Sequence, residues 1–166
     1  MERLWTPWRR EFIESAADEP PVDCFLCAMP ELGDDRKALV VYRSERVFVI
    51  LNRYPYNSGH VLVAPFAHAG DLAALDSTIA AELMHVTQRT VDTLTRVYRP
   101  HGFNVGMNIG RPAGAGVPDH LHMHIVPRWS GDVNFMPVLS DTKVLPETLD
   151  QTYDRLQPAF VRADGA

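Results

Sequence analysis

From residue 38 onward the apolar positions of this chain repeat with two different periods. Residues 38–43 and 46–52 are rich in β-branched and aromatic side chains, the composition of paired strands. Residues 54–59, Tyr-Pro-Tyr-Asn-Ser-Gly, are turn chemistry and open a third strand at 60–65. Over 77–98 the period lengthens. Ile79, Leu83, Val86, Val91, Leu94 and Val97 share one helical face, with Asp76 or Ser77 as N-cap and Pro100 as terminator. Two more strands follow at 104–109 and 120–126, separated by a glycine-rich loop at 110–116, and a last helix is predicted from about 146 to 160. The order strands, helix, strands, helix predicts an α+β fold: a mainly antiparallel five-stranded sheet, one long helix and a C-terminal helix.

Ahead of this core, residues 1–20 form a Trp- and Arg-rich arm with a short helix after Pro7, broken by Asp18-Glu-Pro-Pro21. Cys24 and Cys27 follow as a C-x-x-C, and 30–37 read as polar loop. With 166 residues, no repeat and no low-complexity tract, one domain is expected. Residues 1–30 are its arm, 38–127 its core and 128–166 its tail and final helix.

An apolar fraction of 46% and a charged fraction of 22% are ordinary for a globular chain. No apolar run approaches the roughly 20 residues of a membrane span, so no membrane partner is expected. The first residues lack the apolar segment of a secretory signal. Two cysteines in one C-x-x-C give no disulfide framework, and a cytoplasmic location follows as the default. The net charge of −5 argues against a nucleic-acid polymer as partner but not against a small phosphate-bearing ligand.

Candidate chemistry concentrates in 120–126, His-Leu-His-Met-His-Ile-Val. Side chains alternate along a strand, so His120, His122 and His124 line one face at ~7 Å intervals while Leu121, Met123 and Ile125 pack into a core. Imidazole titrates near neutrality and serves as nucleophile, acid–base group or metal ligand. A histidine-rich solvent face, a metal site and covalent catalysis at phosphorus all remain open on this pattern alone. The C-x-x-C likewise reads as half a zinc site or a redox pair, and no thioredoxin-like βαβ pattern follows it.

The pattern of three alternating histidines resembles the signature of the histidine triad (HIT) superfamily of nucleotidyl hydrolases and transferases. The resemblance extends through Arg3-Leu-Trp-Thr-Pro-Trp-Arg9, Asn52-Arg-Tyr-Pro-Tyr-Asn-Ser-Gly-His60, Arg99-Pro-His-Gly-Phe-Asn-Val-Gly-Met-Asn-Ile-Gly110 and Val126-Pro-Arg-Trp-Ser-Gly-Asp-Val-Asn-Phe135. These stretches look like the bacterial branch containing diadenosine tetraphosphate phosphorylases. The resemblance implies a HIT-like fold, a homodimer, and cleavage of dinucleoside polyphosphates through a nucleotidyl-histidine intermediate. His122 would be the nucleophile, His124 would bond phosphate oxygens or the leaving group, and His60 would support the site. Water as acceptor makes a hydrolase, inorganic phosphate a phosphorylase. Alternatives are a nucleoside phosphoramidate or monophosphate hydrolase, and a non-catalytic, zinc-stabilised nucleotide sensor.

By the same resemblance Cys24, Cys27, His68 and His120 complete a structural Cys₂His₂ zinc site. Asn52 falls where ribose is held and Asn108 where an amide meets phosphate, while Ile50, Leu51 and Leu62 are candidates to flank the base. Backbone N–H groups of Ala115 and Gly116 are candidates to donate to phosphate, since glycine permits close approach. Relatives often carry serine at position 116, so one hydroxyl donor is missing here. Lys143 and Asn134 are candidates to hold an acceptor phosphate or the distal polyphosphate.

Overall fold

A computed structural model, describing residues 24–132 and 145–163, contains one five-stranded antiparallel sheet. Its strands are β1 (Val40–Arg43), β2 (Val47–Leu51), β3 (Val61–Pro65), β4 (Gly102–Gly106) and β5 (Met123–Arg128), arranged β1-β2-β3-β5-β4. Its helices are α1 (Phe25–Glu31), α2 (Asp35–Ala38), α3 (Ser77–Tyr98) and α4 (Leu149–Ala163). Among the described residues no helix is long and apolar enough to cross a membrane.

Both faces of the central strands are covered, which is why every residue of β2 and β3 is buried. Val47, Val49, Leu51, Val61, Val63 and Ile125 pack under Leu83, Val86 and Leu94 of α3 and Tyr153, Leu156 and Phe160 of α4. Phe48, Ile50, Leu62 and Ala64 point the other way, onto Leu26 of α1 and Ala38 of α2. The short α1 and α2 do not extend over β4 and the end of β5, so Asn104 and Gly106 stay exposed. That uncovered half-face holds the site.

The long helix coincides with the expected span. Asp76 caps it by accepting from the backbone N–H of Thr78 and Ile79, and Arg99 ends it in the left-handed region. Three threonines on its buried side escape a purely apolar reading. Thr87 and Thr90 satisfy their hydroxyls on the carbonyls four residues back, at 2.8 and 2.7 Å.

Several boundaries differ from the sequence pattern. The final helix begins at Leu149 rather than near 146, because Thr148 and Gln151 exchange a capping box. Residues 30–37 are not all loop: α1 runs through Pro30, and Asp34 caps α2 by accepting from Lys37 N–H. Strand β5 starts at Met123, since Leu121 N–H has already bonded Ala69 C=O at 2.7 Å. Strand β4 accordingly ends at Gly106, opposite His124, instead of running to 109. Residues 1–20, with the short helix expected after Pro7, lie outside the described residues.

Leu94 is fully buried between α3 and the sheet. Leu94→Ala is expected to lower the unfolding free energy by about 3 kcal/mol, read from urea melts.

Candidate active site and metal centre

The turn over residues 54–59 delivers His60 to the start of β3. Gly59 makes the approach possible: its φ is +75°, and a Cβ there would meet the Tyr98 ring at 3.1 Å. Tyr56 N–H donates to His60 Nδ1 at 3.0 Å. The ring proton of His60 therefore sits on Nε2, which lies 3.0 Å from His124 Nδ1 and donates to it. This chain of bonds leaves the proton of His124 on its Nε2. The Tyr56 ring lies parallel to His124, 9° between planes and 5.9 Å between centroids. Asn52 Nδ2 lies 3.3 Å from His60 Nε2, and Asn52 Oδ1 accepts from Tyr54 N–H at 2.9 Å.

His122 is oriented by its own chain. Its Nδ1–H donates to the carbonyl of His120 at 2.8 Å, so its lone pair is on Nε2. The ring is 5% exposed and 4.9 Å from that of His124, centroid to centroid. Burial disfavours the cation and pushes the His122 pKa down, keeping the ring neutral at pH 7. A neutral imidazole with one nitrogen bonded and one bare is a nucleophile.

A second cluster lies behind the first. Cys24, Cys27, His68 and His120 bring their ligand atoms within 4.8 Å of one another. His120 Nδ1 is 3.2 Å from Cys24 Sγ and 3.4 Å from Cys27 Sγ, and His68 Nδ1 is 3.3 Å from Cys27 Sγ. His120 Nε2 lies 2.8 Å from Pro65 C=O and donates to it, leaving Nδ1 as the ligating nitrogen. Two sulfurs and two nitrogens at this spacing fit a closed tetrahedral metal centre.

Sequence reasoning missed a network that ties the His60 turn to the end of β5. Asn57 Nδ2 donates to Pro127 C=O at 3.0 Å and to Asp132 Oδ2 at 2.8 Å, and Asn57 C=O accepts from His60 N–H at 3.1 Å. Arg128 grips Asp132 through Nε at 2.7 Å and Nη2 at 2.9 Å, and donates from Nη1 to Asn104 Oδ1 at 2.8 Å. The one signal in the sequence was the i, i+4 spacing of Arg128 and Asp132.

The nucleotide candidates are distributed unevenly. Asn52 adjoins His60, and Leu62 shares the face of His124, its register partner. Leu51 is a correction: strand alternation turns it into the core under α3, away from the histidines. Asn108 donates to Gly114 C=O at 3.4 Å, bracing the loop in which Ala115 is half-buried and Gly116 exposed. Asn134 and Lys143 lie outside the described residues.

Fold and site together define a histidine-centred reaction site on one face of an antiparallel sheet. Residues 34–131 match the family model for the HIT domain, and the chain belongs to that family. It is 40% identical over 169 residues to an AP-4-A phosphorylase of Mycobacterium tuberculosis, covering 98% of this chain and 86% of the relative. It is 31% identical over 93 residues to the asymmetrical bis(5'-nucleosyl)-tetraphosphatase of Schizosaccharomyces pombe, covering 56% of this chain and 50% of that protein. A zinc-bound histidine triad family protein from Mycobacterium smegmatis superposes with a TM-score of 0.68 at 26% identity, over 86% of this chain and 96% of that one.

Arg128 beside Asp132 holds the Asp132 carboxyl well below its ordinary value of 3.8. A depressed carboxylate stabilises the fold above the ordinary value and loses that contribution as pH falls below it. Asp132→Asn is expected to destabilise the protein at pH 7 and to flatten the loss of melting temperature below about pH 4. Thermal melts of both proteins across that range check it.

Proposed function

We propose that this chain cleaves dinucleoside polyphosphates, diadenosine tetraphosphate first among them, by forming a nucleotidyl intermediate on His122. The observation that carries this reading is the 2.8 Å bond from His122 Nδ1 to the His120 carbonyl, which bares Nε2 beside the His60–His124 pair. Similarity to a phosphorylase along nearly the whole chain supports the choice of substrate.

The lone pair on His122 Nε2 attacks the α-phosphorus, and the bond from phosphorus to the bridging oxygen breaks. That oxygen keeps the electron pair and takes the proton from His124 Nε2, so ATP departs and the AMP moiety stays on His122. Tyr56 and His60 keep the His124 proton on the correct nitrogen. An oxygen of inorganic phosphate then gives its proton back to His124 Nε2 and attacks the same phosphorus, the P–N bond breaks back onto His122 Nε2, and ADP leaves. Water in place of phosphate would release AMP. Asn52 serves the ribose, while the N–H groups of Ala115 and Gly116 and the amides of Asn108 and Asn134, with Lys143, serve the phosphates.

Zinc is the ion proposed for Cys24, Cys27, His68 and His120, supported by the two-sulfur, two-nitrogen donor set. It would tie α1 to the segment that presents His122 and take no part in the reaction. A homodimer goes with this reading, and the exposed Ile109 beyond the end of β4 is apolar surface that a second copy would cover. A cytoplasmic location suits two thiolates assigned to a metal.

His122→Asn is expected to lower turnover of diadenosine tetraphosphate at least about a thousandfold while nucleotide binding persists. Chromatography of the wild-type products is expected to give ADP and ATP only when phosphate is present. AMP and ATP regardless of phosphate would make the enzyme a hydrolase. Undiminished turnover by the variant would remove His122 as nucleophile. Metal analysis is expected to find about one zinc per chain, lost in His68→Ala.

A further inference from the structure

The half-face of the sheet that α1 and α2 leave bare forms a groove of about 320 Å³ leading away from the third histidine. His124, Gly106, Asn104 and Arg128 line it along β5 and β4, with Tyr56 beside them. Gly106 is the register partner of His124, and directly opposed residues share a face, so a side chain at position 106 would project into the groove.

The strand order places the groove relative to the chemistry. Asn52 follows β2, His60 precedes β3, His124 lies on β5 and Gly106 on β4, the sequence of neighbours across the sheet. At ~4.8 Å between strands, Asn52 and Gly106 are separated laterally by roughly 14 Å, with the histidines between them. A nucleoside held at Asn52 and an α-phosphate at His122 leave the departing part of the substrate on the His124 side. Its continuation is the groove.

The walls are mixed, with Asn104 and Asn108 polar, Val105, Met107 and Val126 apolar and Tyr56 aromatic, which suits a guest with both a flat apolar part and a polar one. Arg128 is held in place by Asp132 and Asn104, so its charge is largely offset and its position is set. The Tyr56 ring is 38% exposed. Gly106 is the telling position. Its φ is not in the left-handed region, and a Cβ built there meets no heavy atom within 4 Å. Neither backbone conformation nor packing requires glycine at 106, although glycine weakens a strand. Gly106 closes the edge strand β4 opposite His124, and its missing side chain leaves the groove beside that histidine open.

We propose that Gly106 is a specificity-determining position, whose missing side chain keeps the groove open for the leaving nucleoside polyphosphate. This rests on the reading of the chain as a dinucleoside polyphosphate enzyme. AMP, which ends at the α-phosphate, reaches no farther than the mouth of the groove beside His124.

Gly106→Ala and Gly106→Leu test it in the full chain, each checked for wild-type melting temperature and elution volume. For Gly106→Leu, kcat/KM with diadenosine tetraphosphate is expected to fall more than about tenfold, with a smaller loss for alanine. The calorimetric Kd for AMP is expected to stay within about twofold of wild type for both variants. Wild-type kcat/KM in Gly106→Leu would overturn the proposal. So would a loss of AMP affinity in proportion to the loss of turnover in a variant that melts and elutes as the wild type does. Absence of turnover by the wild-type enzyme itself would instead remove the functional reading on which the proposal stands.

Discussion

A histidine nucleophile must keep a proton on one ring nitrogen and expose the lone pair of the other, and the His120 carbonyl imposes that state on His122. The carbonyl can do so only if its own residue does not move. His120 is fully buried, its Nε2 bonds Pro65, and its Nδ1 faces Cys24 and Cys27. The next residue fixes the chain again, through Leu121 N–H to Ala69. The metal-type cluster and the reaction site are thus two ends of one short segment. What holds the side chain of His120 also aims its carbonyl.

The other half of the site is held from the opposite direction. Asn57 ties the 54–59 turn to Pro127 and Asp132 at the end of β5, and Tyr56 on that turn sets the tautomer of His60. The His60–His124 bond then spans neighbouring strands, so sheet register alone keeps the pair together. Burial adds the electrostatic condition, holding His122 neutral where water would let it protonate. Two covered sheet faces supply the stability that this polar cluster does not, and the edge of the second face at β4 stays uncovered.

Much of this was legible in the sequence, because alternation and helical period are local properties. The 77–98 helix, the five strands and the grouping of Cys24, Cys27, His68 and His120 follow from spacing or family resemblance, whereas His120 and His122 precede β5 rather than alternating along it. The boundaries that shifted depend on partners. Strand β4 stops where β5 has no ladder to offer, and α4 starts where Thr148 meets Gln151. Leu51 was misplaced by one step of the strand period, which is enough to send it to the opposite face. Asn57, Asp132 and Arg128 offer only the i, i+4 spacing of the last two, since the contacts of Asn57 cross about 70 residues of chain. Gly106 offers no such spacing, and its meaning lies in the space beside it.

The central claim is a covalent bond from phosphorus to His122 Nε2, and it is tested most directly by trapping that bond. The enzyme would be mixed with diadenosine tetraphosphate lacking acceptor phosphate, quenched in alkali, and digested for fragmentation mass spectrometry. One adenylyl group is expected on His122, stable to alkali and released by mild acid as a P–N bond should be. An adenylyl group on His60, His124 or any other side chain, or turnover in which no labelled peptide ever forms, would contradict it.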